Sequence, residues 1–366
     1  MKRLLTFFFT AGLFFASGLI FTNCTKEGPQ GPGGTAGTNG KDANATCTQC
    51  HNVSDTIVVK IFQYNASKHS KGSSLPVSTC IACAPCHCSQ GFKECLVSNR
   101  DSTVFGFADA APVNCRTCHN IHTSYTNVDW ALKTSTFFTL RIDHDITMNL
   151  QGGKGFGKGS ANLCGRCHQA CKPDPWVTNP TGTDYLTVRS GLWGPHFGTQ
   201  SLVLGAKGAF EFGTPFASGS HKDSASCTSC HGALCPDNLV PGNAPSGGHT
   251  LNIGIALASG ANPAKIIGCD VAGCHLNPMT EATMEEMMAE VKAKWTILLE
   301  KLIAKNIIDA ADTLVKASNS NPLIATQKQM ACVWNFKLVQ YDKSWGMHNF
   351  TYTMNMLDAS IAAIDE

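Results

Sequence analysis

Charge is scarce in this chain. Only 15% of its 366 residues are Asp, Glu, Lys or Arg, and 28 basic residues nearly cancel 26 acidic ones, for a formal net charge of +2. The basic residues are scattered, which excludes the clustered cationic face that nucleic-acid binding requires. Aromatic residues make up 8%, with five tyrosines, and the pentapeptide Cys-x-x-Cys-Lys does not occur. Cysteine, histidine and glycine are abundant instead, at 19, 13 and 34 residues. That balance is not the composition of an enzyme built around its own apolar core.

The cysteines and histidines are ordered. Five Cys-x-x-Cys-His runs occur: Cys47/Cys50/His51, Cys83/Cys86/His87, Cys115/Cys118/His119, Cys164/Cys167/His168 and Cys227/Cys230/His231. A sixth run, Cys269/Cys274/His275, has four residues between its cysteines. This is the signature of c-type haem attachment, in which two thiols bond the porphyrin and the following histidine binds the iron. From Cys47 to His275 there is one site per ~40 residues, too little chain to fold on apolar burial alone. The haems are therefore expected to form the core, with covalent attachment and axial ligation as staples. Their propionates would carry the protein to the acidic side.

Six histidines are proximal ligands on this reading, and seven remain. His69, His122, His196, His221, His249 and His348 are the candidates for the second axial position of each iron; most have small neighbours that let backbone approach a flat cofactor. His144, in Arg141-Ile-Asp-His144-Asp, lacks that setting and is the expected spare. His122 stands three residues after His119 and cannot reach the far face of the same macrocycle, so it should serve a neighbouring haem. Which distal histidine serves which haem is not legible in the sequence, which is consistent with ligands exchanged between neighbours along the chain. Met284, Met287 and Met288 recur at helical spacing and read as core rather than as ligands.

Residues 1–23 read as an export signal of lipoprotein type: Lys2-Arg3, an apolar run, then Cys24 as the acylation site. Asn23 departs from the small residue usually found before such a cysteine, and an uncleaved anchor or simple secretion are the alternatives. Cysteine parity supports Cys24, because removing it and twelve haem thiols leaves an even set: Cys80, Cys88, Cys95, Cys171, Cys235 and Cys332. One of their fifteen pairings is Cys88–Cys95, Cys171–Cys235 and Cys80–Cys332. Residues 24–45 carry Gly28, Gly31, Gly34, Gly37 and Gly40 at every third position, a collagen-like repeat read as a tether. Residues 46–279 form the hexahaem core. Residues 280–366 turn helical, with an apolar stripe from Met284 to Leu314 and a capping-box pattern at Thr283 to Glu286. Two further helices are expected near Leu323 to Val339 and Tyr352 to Ile364. They would supply His348.

Taken in order, these elements resemble the secreted multihaem c-type cytochromes related to ammonia-forming nitrite reductase and hydroxylamine oxidoreductase. The resemblance is carried by the Cys115-to-His122 segment, Gly194-Pro-His196, Ser220-His221, Gly247-Gly-His249-Thr and Gly346-Met-His348-Asn, and spans residues 46–366. It implies closely stacked haem pairs, little β-structure and long C-terminal helices. The expected fold class is mainly α with much irregular coil around a multihaem cytochrome c core. Two functions compete. The first is electron transfer at the cell envelope through six covalently attached haems, with other envelope or extracellular cytochromes or electron acceptors as partners. This form is held to the membrane by lipid, at the outer membrane or cell surface or in the periplasm, alone or as a homo-oligomer or filament. The second is a reductase or oxidoreductase of nitrogen or sulfur oxyanions, which needs one iron open to substrate; no catalytic residue stands out for it.

Overall fold

Short helical turns and coil dominate the first two thirds of the computed structural model, which describes residues 55–72, 74–152, 159–233, 247–253, 268–269, 275 and 279–366, all within the unit Gln49–Glu366. The described chain opens with α1 (Asp55–Ala66) and the one-turn α2 (Lys68–Lys71). Next come α3 (Ala84–His87), α4 (Ser89–Ser98), α5 (Cys115–Cys118), α6 (Ser160–Gly165), α7 (Gln200–Leu204), α8 (His221–Ser224) and α9 (Cys227–His231). Strand content is small among the described residues. β1 (Phe138–Leu140) pairs with β2 (Asp143–Met148), and β3 (Tyr185–Val188) pairs antiparallel with the distant β4 (Leu323–Thr326). The chain is thus mostly helix and irregular coil with little sheet.

Three long helices close the chain: α10 (Glu281–Ala304), α11 (Gln327–Asp342) and α12 (Phe350–Ala363). Their starts differ from the sequence expectation. The N-cap of α10 is Thr280, whose hydroxyl accepts from the Thr283 amide at 3.0 Å, so Thr283 lies inside the first turn. The apolar period through Ile307 and Leu314 is not helical: the helix ends at Ala304, and Ile308 bridges Val315 in extended backbone. Leu323–Thr326 is strand, because Thr326 caps α11 in a reciprocal box with Gln329 (3.1 and 2.9 Å) and the apolar segment before it pairs with β3.

An apolar core exists, contrary to the expectation that haem would supply it all. It centres on α11, where Ala331, Cys332, Val333, Trp334, Phe336 and Leu338 are buried together against Trp193, Leu202, Leu298 and Leu357. Trp334 contacts Trp176 at 5.0 Å and donates from Nε1 to Gly208 O at 2.7 Å, so its polar edge is satisfied. No described residue before Phe138 belongs to this cluster. The early pentapeptides are therefore the part that lacks a core of its own.

Candidate haem-ligand array

Each described pentapeptide is built the same way. The histidine amide donates back to the first cysteine carbonyl: His87 to Cys83 at 3.2 Å, His119 to Cys115 at 2.9 Å and His168 to Cys164 at 2.9 Å. One helical turn therefore carries the first cysteine, the second and the histidine at i, i+3 and i+4 on one face. Local caps hold two of these turns. The Asn114 side chain accepts from Arg116 N at 3.0 Å, and Ser226 and Ser229 form a reciprocal box ahead of Cys227.

Five of the proximal histidines face a second histidine from a remote segment. Ring centroids lie 6.1 Å apart for His69–His168, 6.3 Å for His87–His196, 6.1 Å for His119–His249, 6.1 Å for His221–His275 and 6.4 Å for His231–His348. A metal–imidazole nitrogen bond is about 2.0–2.1 Å and a ring nitrogen lies about 1.1 Å from its centroid, so two rings on opposite sides of one ion stand roughly 6.2 Å apart. The five spacings fit that arrangement and are too wide for direct stacking. Among the described residues no group of three or more His, Cys, Asp or Glu could itself cage a metal ion. Two imidazoles supply only axial ligands, and the donor set fits a planar macrocycle completing the equator. Cys47, Cys50, His51 and Cys274 lie outside the described residues, as do Cys24 and Cys235.

Exchange between neighbouring runs holds for His221 with His275 but not for the pairs of His69, His196 and His249. His69, ahead of the second run, meets the fourth; His249, after the fifth, meets the third. Remote elements hold them in place. Ser67 caps α2 with a 3.2 Å bond from Ser70 N, fixing the turn that carries His69. The buried Gln63 of α1 accepts from His249 N at 3.1 Å. The preceding Gly248 has φ +53°, and a Cβ there would lie 2.4 Å from Gln63 Oε1, so both conformation and space require glycine. His196 itself adopts φ +63°, an uncommon conformation for a side-chain-bearing residue, held by its place after Gly194-Pro195.

His122 does not reach the third run's histidine, whose partner is His249. It stacks on Tyr125 at 5.5 Å, and its Nδ1 lies 2.9 Å from an Arg116 nitrogen. His144 stands apart: its side chain is 66% exposed and its Nε2 lies 2.6 Å from Asp101 Oδ2. None of Cys80, Cys88, Cys95, Cys171 or Cys332 is disulfide-bonded. Cys88 and Cys95 begin and lie within the same helix, separated by about 10 Å of rise, far beyond disulfide reach. Cys80 is exposed and hydrogen-bonds the Cys83 thiol, whereas Cys332 is buried in the α11 core and donates to Ser360 O. The proposed Cys171–Cys235 pair falls outside the described residues at Cys235.

The thiols of different runs converge. Cys86 is hydrogen-bonded to Cys167, and Cys164 to Cys227. Cys164 lies close enough to Cys118 to add to the upward push that burial gives that thiol, and Gly268 packs directly on Cys230. The fourth run is thus the hub, with the second, third and fifth around it and the sixth beside the fifth.

Burial keeps most of the ring nitrogens uncharged. His69 and His249 are pushed down to about 4, first by burial and then by neighbouring His168 and His231 for the one, Lys60 and His119 for the other. Burial also lowers His87, His168, His196 and His231. A neutral imidazole offers its lone pair to a metal at any ordinary pH. His348 is the exception. Burial opposes its charge, but the Asp342 carboxylate and the hydrogen bond to it outweigh burial and raise it. The second-layer partners were invisible in the sequence: Trp130 O for His119 (2.6 Å), Gln200 Oε1 for His168 (3.1 Å), Leu251 O for His231 (3.0 Å) and Asp342 for His348 (2.6 Å).

No family model matches the chain, and no curated protein matches it. One solved structure that is similar to it is that of the outer cell wall cytochrome OcwA, with a TM-score of 0.49 and 17% identity over 82% of this chain and 49% of that one. The chain thus spans about half the length of that structure.

Proposed function

We propose that this chain is an exported electron-transfer protein carrying six covalently attached c-type haems, each with two histidine ligands. The observation that carries the reading is the spacing of the five histidine pairs, 6.1–6.4 Å, four of them beside thiols held on the same helical turn. Bound haem c would supply a one-electron couple. The residues do the rest. The cysteines would hold each haem covalently, the paired imidazoles would supply its iron ligands, and the contacts of Cys86 with Cys167 and of Cys164 with Cys227 would bring neighbouring centres together. Cys269, Cys274 and His275 would hold the sixth group with His221 opposite, and His51 and His122 would serve the first. Cys24 as a lipid-bearing residue and residues 24–45 as a tether would place the array at the outer membrane or cell surface. There it would hand electrons to other cytochromes or an extracellular acceptor, singly or in homo-oligomers or filaments.

Two measurements on the full-length exported protein test this. Pyridine haemochrome should return six haems per chain, and the oxidised EPR spectrum should be low-spin. A substantial high-spin signal, or turnover of nitrite or hydroxylamine, would establish the reductase reading instead. Fatty-acid labelling that disappears in Cys24→Ser tests the anchor.

A further inference from the structure

Ligand second partners divide the array unequally. His119 and His231 donate from Nδ1 to backbone carbonyls, His221 to Met347 O at 3.0 Å, and His168 to the amide oxygen of Gln200. Those acceptors are neutral. His348 alone among these five donates to a carboxylate, Asp342 Oδ1, at 2.6 Å. Asp342 has only 2% of its side chain exposed, and its other oxygen accepts from the Ser344 hydroxyl and, at 3.3 Å, from the Ser344 amide. The carboxylate is therefore aimed, satisfied and screened from water. Among the described residues Asp342 caps no helix and pairs with no lysine or arginine.

We propose that Asp342 is a positioning and tuning residue that gives the centre between His231 and His348 the lowest reduction potential of the four sites to which these ligands belong. A carboxylate accepting from Nδ1–H draws the imidazole toward imidazolate and makes its other nitrogen a stronger donor. Stronger donation, and a fixed negative charge in a low-dielectric setting, both stabilise ferric over ferrous iron. The same helix end reaches the next centre. Gln200, which orients His168, donates from Nε2 to Tyr341 O at 3.0 Å and to Asp342 O at 3.3 Å. The terminal turn of α11 thus fixes one ligand of two adjoining centres, through a charge in one case and a neutral amide in the other. A potential step between the fourth and fifth sites follows, at the junction where Cys164 meets Cys227.

This inference rests on the haem-array reading proposed above. Its test is a potentiometric titration of the full-length holoprotein, followed by EPR and visible spectroscopy, for wild type, Asp342→Asn, Asp342→Glu and Ser344→Ala. Asp342→Asn keeps an acceptor of the same shape and removes only the charge. One step should move upward by at least tenfold in its equilibrium constant, which is 59 mV for one electron. Haem content and the low-spin spectrum should not change, and Asp342→Glu should restore the lower value. Ser344→Ala strips a competing donor from the carboxylate and should move the same step downward, which keeps the idea testable if Asp342→Asn loses the ligand. A low-spin Asp342→Asn protein with every step unmoved, or an unmoved Ser344→Ala protein where Asp342→Asn fails, refutes the role of Asp342. A wild type without haem at this site, or high-spin there, refutes the underlying array instead.

Discussion

Replacing His69 by alanine is the sharpest single perturbation of the paired-ligand geometry. His69 is held at about 4 by burial, and its ring faces His168 at 6.1 Å. Cys164 and Cys167 are untouched, so the haem count should stay at six while one iron loses its sixth ligand. The EPR spectrum should gain a high-spin signal of roughly one sixth of the iron. The stability cost follows from topology. An iron between residues 69 and 168 closes a loop of about 100 residues, which the chain-entropy treatment of cross-links values at about 4.7 kcal/mol. At about 2.1 cal/mol/K per residue over roughly 300 structured residues, that corresponds to a fall in Tm of about 7 °C. The figure is an upper bound, because neighbouring pairs close overlapping loops and their effects are not additive. His144→Ala is the control: its ring pairs with Asp101 on the surface, and its loss should change neither spectrum nor Tm. A His69→Ala protein that stays fully low-spin, or a His144→Ala protein that turns high-spin, would overturn the assignment.

Two further predictions are independent of that one. Lys337 is fully buried and pushed down to about 8 by burial, with Asp312 opposing, while Nζ donates to Thr313 O and Tyr341 Oη. Its folded value lies below its unfolded one, so the folded chain binds fewer protons between about pH 8 and 10.5. Stability should therefore rise with pH across that window; the penalty fully present below it is about 3 kcal/mol. In urea melts Lys337→Met should flatten that rise and gain stability at pH 7, less what the two hydrogen bonds contributed; a slope identical to wild type would contradict the account. The histidine planes make the second prediction. They cross at 87° for His221–His275 but only 33° for His231–His348. Parallel planes split the iron d orbitals that point between the rings, whereas crossed planes leave them nearly degenerate and retain orbital angular momentum. The oxidised protein should show a strongly anisotropic low-spin signal that His221→Met removes, next to a more rhombic one that His348→Met removes; one uniform signal type would count against these orientations.

Much of the array could be read from spacing because the chemistry is local: a thiol, a second thiol and an imidazole must share one helical turn, and sequence records that directly. The helical C-terminus was legible for a similar reason, since period and composition change together after residue 280. Pairing was not legible. His69 meets His168 and His249 meets His119 because Gln63, Ser67 and the α11 end position them, and none of these residues advertises its target. Two of the three disulfide guesses failed on geometry that parity cannot see: Cys88 and Cys95 ride one helix, and Cys332 points into packed side chains. Helix starts shifted because Thr326, rather than the proline before it, supplied the cap, leaving Leu323–Thr326 free to pair as strand. The apolar core around Trp334 was hidden by an averaged composition that mixes a core-poor first third with a densely buried α11.

His348 lies between the second and third C-terminal helices, yet it faces His231, more than a hundred positions earlier. Haem attachment at Cys227 and Cys230 would need only that local turn, whereas His348 would be in place as a second ligand only once α11 has packed. The pairing of these two rings therefore depends on the packing of the C-terminal helices onto the fifth run.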